Sequence, residues 1–174
     1  MNVHLRPIQL DDLEDFYCLI RNNRTILEAY LPITTRASKD LASTEHYLHD
    51  LVEKREQKEW YTMVIEHESQ LVGIIYIKSI NWMIAKCELG YFMDEDFQGK
   101  GLMTQAVKQA IDYCFDTLRM HKIFARIGTE NLASKQVALK AGFILEGVLK
   151  DDYRTGEGKL VDVEYYGLIN SYSK

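Results

Sequence analysis

The sequence predicts an α+β fold, a mixed and mostly antiparallel sheet of about seven strands covered by helices. Three observations carry that prediction. Strand-like and helical runs follow one another in the order β-α-α-β-β-β-α-β-α-β-β. Three of the strands are joined by short polar turns and read as a meander. A strand, a long helix and a further strand between residues 86 and 128 require one parallel crossover. The chain has 174 residues, the length of one domain, and residues 1–174 are read as one.

Residues 3–8 read as the first strand. Asp11 and Glu14 then supply a helix cap and its N3 partner, and Leu13, Phe16, Tyr17 and Ile20 repeat at i, i+3, i+4 and i+7 on one apolar face. A more polar helix covers about residues 38–58, with Leu41, Leu48 and Leu51 turned inward and its charges in water. From Trp60 the pattern changes. Tyr61–His67, Leu71–Ile80 and Lys86–Met93 read as strands; the first and third half alternate, while the second is nearly all apolar and belongs at the centre with both faces covered. Met103, Ala106, Val107, Ala110, Ile111, Cys114 and Leu118 hold helical spacing, which makes Cys114 a core residue rather than a reactive thiol. Lys122–Gly128 is the next strand. A helix from Leu132 to Ala141 stops at Gly142, as a left-handed cap would. Phe143–Leu149 and, after a turn with Gly156 and Gly158, Val161–Ile169 complete the order.

Composition excludes several function classes. The net charge is −5, from 21 Lys and Arg against 26 Asp and Glu, and a nucleic-acid footprint needs clustered positive charge instead. Three cysteines, odd in number and without a CxxC pair, give neither a disulfide framework nor a zinc site, so a reducing cytoplasm is the expected compartment. The longest apolar run, residues 71–77, falls far short of the ~18 residues of a membrane span, and the first residues lack the basic and apolar segments of a secretory signal. His46 and His49 stand three apart without companion ligands, so no metal is expected. His121 lies at a helix-to-strand junction, where it suits the helix C-terminus.

The stretch that carries chemistry runs from Glu88 to Thr104, ELGYFMDEDFQGKGLMT. A strand enters a loop with two glycines, and a long amphipathic helix begins at the second. Such glycines let a backbone approach a ligand, and the free N–H groups of a helix's first turn form an anion site that a diphosphate fits. An ordinary strand-to-helix turn is the alternative. The spacing is neither that of a P-loop nor that of a dinucleotide-binding fingerprint.

Gln98-x-x-Gly101-x-Met103 resembles the [Q/R]xxGx[G/A] acetyl-CoA pyrophosphate loop of the GNAT N-acetyltransferases, and the fuller string resembles their RimJ/RimL (ribosomal-protein N-acetyltransferase-like) subgroup. Met103 departs from the pattern at its last position, where it affects packing behind the phosphates. A second block, Asn131-Leu-Ala-Ser134 with Ala141-Gly142-Phe143-Ile-Leu-Glu-Gly147, resembles that family's Asn-x-x-Ser and Gly-Phe…Glu-Gly element, and Tyr165-Tyr166-Gly-Leu168-Ile169 resembles its closing strand. The resemblance is strong from Glu88 to Leu149 and thin before Trp60.

The resemblance implies a GNAT fold whose fourth and fifth strands splay into an acetyl-CoA cleft. The pantetheine arm would pair with the backbone around Met93. The pyrophosphate would lie on the N–H groups of Gly99, Lys100, Gly101, Leu102, Met103 and Thr104, with Gln98 in the same motif and Asn131 touching the pantetheine or an ordered water. The Lys100 side chain either adds charge or is a solvated loop lysine. For direct attack of an amine on the thioester, Glu88 is the implied base, through water, with an ion-paired glutamate as its alternative. A backbone N–H near Met93 is the implied oxyanion donor. Where many GNAT enzymes carry an acidic tyrosine this chain has Ala138, so the acid falls to Ser134, whose other reading is a helix-start cap. Tyr30, Leu31, Pro32, Trp60 and Trp82 are candidates for the acceptor wall. The implied acceptor is a protein N-terminal α-amine, ribosomal proteins included. A small amine such as a polyamine, and a non-catalytic acyl-CoA-binding module, are the alternatives. Relatives are often dimers, which makes a homodimer a further expectation.

Overall fold

A computed structural model describes residues 2–171 of the chain. Seven strands, β1 (His4–Pro7), β2 (Tyr61–His67), β3 (Gln70–Asn81), β4 (Lys86–Met93), β5 (Lys122–Gly128), β6 (Ile144–Arg154) and β7 (Leu160–Ile169), form one sheet in the order β1-β2-β3-β4-β5-β7-β6. Every neighbouring pair is antiparallel except β4 and β5, the expected crossover. The helices are α1 (Leu13–Asn22), α2 (Arg24–Tyr30), α3 (Pro32–Ala37), α4 (Leu41–Glu56), α5 (Leu102–Asp112) and α6 (Leu132–Lys140). None of them is long and apolar enough to cross a membrane.

Helices cover the sheet on both faces because its strands present two apolar sets. Cys87, Leu89 and Met93 of β4 pack with Ala106, Val107, Ala110 and Ile111 of α5 on one face. On the other, Phe16, Leu27, Leu48 and Leu51 from α1, α2 and α4 pack on Val64, Ile74 and Tyr76. Each Val, Leu, Ile, Phe or Met among them is worth roughly 1.5–3 kcal/mol when fully buried, so these layers hold the frame on which the site is built. Cys114 is fully buried, its Sγ 3.9 Å from that of Cys87. Gly142 has φ +97°, the left-handed cap that its position suggested.

Several local expectations are corrected. α2 and α3 have seven and six residues, too few for a periodic signal, and went unforeseen although Pro32 opens α3 in the position proline favours. β2 is not half alternating: Tyr61–Ile65 are all buried, because β2 lies between β1 and β3 with helices on either side. Leu41 is 42% exposed, and Thr44 is the buried residue of that first turn. The cap of α4 is Asp40, which accepts from Ser43 N at 2.8 Å while Ser43 Oγ accepts from Asp40 N at 3.1 Å.

Asp11 does not cap α1. A short 3-10 turn, Leu10–Asp12, precedes the helix, and Asp12 is the carboxylate that turns inward. Arg6 grips it at 2.8 and 2.6 Å and also donates to Glu66 at 2.9 and 2.7 Å. Burial opposes ionisation of Asp12, but Arg6 and the Gln9 N–H hold its carboxyl below the usual range; Glu66 is held low chiefly by Arg6. Groups whose native pKa is depressed stabilise the fold above their unfolded value near 4 and lose that contribution as pH falls through the native value. The melting temperature should therefore fall as pH drops from about 5 towards 3, and R6M should flatten that dependence. Equal slopes for both proteins in a melting series would exclude the Arg6 cluster as its origin.

Candidate active site

The site begins where two strands part. β4 and β5 pair only at Lys86↔Lys122, Cys87↔Ile123 and Glu88↔Phe124, and beyond these residues the ladder stops. The register with β3 decides what lines the gap. Met93 lies opposite Gly73, and Asp94 N donates to Val72 O at 2.9 Å, so Asp94 and Val72 form a hydrogen-bonded pair. Such pairs alternate along an antiparallel ladder. The main-chain groups of Glu88, Gly90 and Phe92 therefore face β3, and those of Leu89, Tyr91 and Met93 face the gap. Gln98 Nε2 closes over this rim and donates to Met93 O at 2.9 Å, which leaves the Met93 N–H as the donor there. A rim of this kind accepts an extended chain as an added strand.

The rim leads into the glycine loop. Asp94 accepts from Asp96 N at 3.0 Å and from Asn23 Nδ2 at 2.9 Å, which ties the loop to the end of α1. Gly99 has φ +74° and Gly101 +79°, and a Cβ on either would meet no atom within 4 Å. Glycine is required here by backbone conformation, and the space above it is open. Gly101 is the N-cap of α5, so the N–H groups of Leu102, Met103 and Thr104 have no intrahelical acceptor. Leu102 is fully buried and anchors the turn; Met103 packs against the core beneath it. Lys100 is exposed, with Nζ donating to Asp96 O at 2.8 Å and lying 5.2 Å from the Phe97 ring. Its side chain is held by its own loop, the second of its two readings.

Across the gap stands the start of α6. Asn131 Oδ1 accepts from Ser134 N at 3.1 Å, so Asn131 caps the helix and Ser134 does not. The Ser134 carbonyl accepts from Tyr91 OH at 2.8 Å. Burial pushes the Tyr91 phenol well above its ordinary value. Lys135 Nζ donates to Glu164 at 2.6 Å and fastens α6 to β7, and Tyr166 OH, on β7 itself, donates to the same carboxylate at 2.6 Å. Those two bonds hold the Glu164 carboxyl low, while burial, with Glu164 beside it, pushes Tyr166 up to about 12. Ala138 is the fully buried residue of α6. Tyr91 was missed from the sequence, although alternation on β4 places it on the side of Leu89 and Met93.

On the opposite face Glu88 is 3% exposed. Arg126 Nε and Nη2 donate to its two oxygens at 3.1 Å each, Ser79 Oγ donates at 2.9 Å, and Lys78 Nζ is 3.7 Å away. Glu88 is buried and ion-paired, as the second of its two readings has it, with positive charge on two sides. Arg126 Nη1 also donates to Asp152 at 3.1 Å. Asp152 belongs to the end of β6, whose hairpin with β7 leans on α2. Tyr153 OH donates to Tyr30 O at 2.8 Å, and a Cβ on Gly156 would overlap the Glu28 carbonyl oxygen. Glu88 and Arg126 thus lie beneath a bridge between the hairpin and α2, beside a stacked Phe124–Tyr165 pair at 4.8 Å.

The wall residues divide. Tyr30 belongs to the bridge, and Leu31 and Pro32 are half-buried just beyond it. Trp60 packs edge-on against Tyr76 at 5.3 Å, with Lys78 over its ring. Trp82 lies in the β3–β4 turn, bonded to Lys58 O beside Thr117 and Leu118, at the end of β4 away from the gap. His46 and His49 are exposed on α4. Among the described residues no group of three or more His, Cys, Asp or Glu could hold a metal.

Comparison with known proteins gives a consistent result. Residues 2–144 match the family described as acetyltransferase (GNAT) domain. The chain is 29% identical over 171 residues to a probable N-acetyltransferase of Bacillus subtilis, YjcK, covering 97% of this chain and 94% of that one. It is 28% identical over 153 residues to the spermidine N(1)-acetyltransferase of Escherichia coli K12, covering 87% and 78%. The crystal structure of the ribosomal-protein-S5-alanine acetyltransferase from Vibrio fischeri superposes with a TM-score of 0.91 at 25% identity, over 100% of this chain and 96% of that one.

Proposed function

The chain belongs to the GNAT acetyltransferase family, and from that premise we propose that this N-acetyltransferase moves the acetyl group of acetyl-CoA onto a protein N-terminal α-amine, ribosomal proteins being the first candidates. The observation that carries the reading is the continuous path from the main-chain rim of Leu89, Tyr91 and Met93 into the cradle of Gly99, Lys100, Gly101, Leu102, Met103 and Thr104. An extended arm pairs with the rim, and a pyrophosphate rests on the N–H groups at the start of α5. Gln98 shapes the junction between them, and Asn131, whose Oδ1 is taken by the cap, has its amide nitrogen left to donate to the same arm. Acetyl-CoA, when bound, supplies an activated thioester.

The chain's own groups divide the remaining work. The Met93 N–H donates to the thioester oxygen as negative charge grows there. Glu88 takes the acceptor's proton through water. Ser134, whose hydroxyl is spared from capping, returns a proton to the departing sulfur. The acceptor arrives beneath the hairpin–α2 bridge, opposite the cradle, so one domain holds both sites. Such a reaction belongs in the cytoplasm, where the three cysteines stay reduced, and a homodimer is the assembly this reading expects.

A polyamine acceptor is the second reading, favoured by the likeness to the spermidine enzyme and by the Asp152 carboxylate at the end of β6 beside the bridge. Incubation with labelled acetyl-CoA, a bacterial lysate and spermidine, followed by mass spectrometry, separates the cases. Acetyl groups on protein N-terminal residues are the expected result. Label on spermidine alone establishes the second reading, and binding without transfer to either would mean a non-catalytic acyl-CoA module.

A further inference from the structure

We propose that Arg126 is a positioning residue, which fixes the Glu88 carboxylate at the mouth of the gap and is itself fixed by Asp152. The inference rests on Glu88 serving as the base. β4 and β5 share no ladder beyond Glu88↔Phe124, so no main-chain bond governs the distance between them there. Arg126 stands two residues past that last pair, on the face of β5 that also carries Phe124, and reaches back to Glu88. Its grip is two-point, Nε to one oxygen and Nη2 to the other at 3.1 Å each. A planar fork of this kind dictates the carboxylate's orientation, which a point charge does not. Lys78, at 3.7 Å, is such a point charge. Asp152 takes the remaining Nη1 at 3.1 Å. Arg126 is one-third exposed on that side and Glu88 is buried, so the chain Asp152–Arg126–Glu88 runs from the bridge to the carboxylate. Neither Arg126 nor Asp152 belongs to the donor cradle, which lies at the far end of β4.

A double-mutant cycle tests this. kcat and KM are measured for R126Q, R126K, E88Q, E88Q/R126Q and D152N with acetyl-CoA, using a synthetic free-amine peptide and spermidine as acceptors, and each variant's melting temperature is recorded. R126Q should lower kcat about 10- to 100-fold, with the KM for acetyl-CoA within about twofold of wild type. R126K should recover part of the loss, because an ammonium restores charge without the fork. D152N should give a smaller loss. In the E88Q background R126Q should cost nothing further, since both changes act through one carboxylate. Effects that multiply, or an R126Q enzyme with wild-type kcat, would overturn the proposal. An E88Q enzyme with wild-type kcat would instead remove Glu88 as the base, and the positioning role with it. If R126Q melts too early to assay, R126K and D152N in the E88Q background give the same comparison.

Discussion

Gly101→Glu is expected to abolish acetyl-CoA binding while leaving a folded protein. Gly101 has φ +79°, and a Cβ there meets no atom within 4 Å, so the substitution strains one residue by roughly 1–2 kcal/mol without forcing the core apart. Its larger effect is electrostatic. The new carboxylate would stand at the N-terminus of α5, over the N–H groups offered to the pyrophosphate, and compete for them with a charge of the same sign as the ligand's. A ligand that binds only the native state raises stability by about 2.7 kcal/mol at 100 times its Kd. The measurement is the melting-temperature rise with acetyl-CoA, present for the wild type and absent for G101E. G101A separates the contributions, because it carries the strain without the charge and should keep part of the rise. A full rise with G101E would place the pyrophosphate elsewhere. K100Q should change the rise little, because Lys100 Nζ is bonded to Asp96 O.

Glu88→Gln should lower kcat by about 100-fold or more and leave the acetyl-CoA melting shift intact. The amide keeps the shape of the carboxylate and can still accept from Ser79, but it cannot take a proton from the acceptor, and it leaves Arg126 with Asp152 as its only carboxylate partner. Donor binding is preserved because the cradle lies at the other end of β4 and α5 packs on the opposite face. Unchanged kinetics would remove Glu88 as the base. Ser134→Ala, assayed beside it, should also lower kcat without altering donor binding. A fully active S134A would move the acid elsewhere, and Tyr91, whose OH already reaches the Ser134 carbonyl, is the next hydroxyl at that place.

The parts of the fold that were legible are those whose cause is local. The β2–β3–β4 meander reads from runs of residues joined by polar turns, and Lys122–Gly128 came out with the bounds the structure has. The body of α5 reads from its 3.6-residue spacing, and Gly142 from the left-handed cap it forms. The glycine loop was legible for the same reason, since positive φ at Gly99 and Gly101 is a property of those residues themselves. Short elements were not. α2 and α3 are too brief to show a period, and Asp12 rather than Asp11 turned inward because Arg6, on another element, binds it.

The residues around the chemistry divide in the same way. Glu88, Ser134 and Asn131 could each be picked out along the chain, yet each carried two roles until their neighbours were known. Asn131 takes the cap and frees Ser134. Glu88 is joined to Arg126, 38 residues away, and through it to Asp152; Tyr91 meets Ser134 across 43 residues. What the sequence determined by itself is the order of the strands, the glycine loop that opens α5 and the family, all set by residues close along the chain. The tertiary structure alone decided which side chains face each other across the gap between β4 and β5, because that depends on strand register, on where the ladder stops and on how the hairpin leans on α2. Those contacts join residues far apart in sequence, and no local pattern records them.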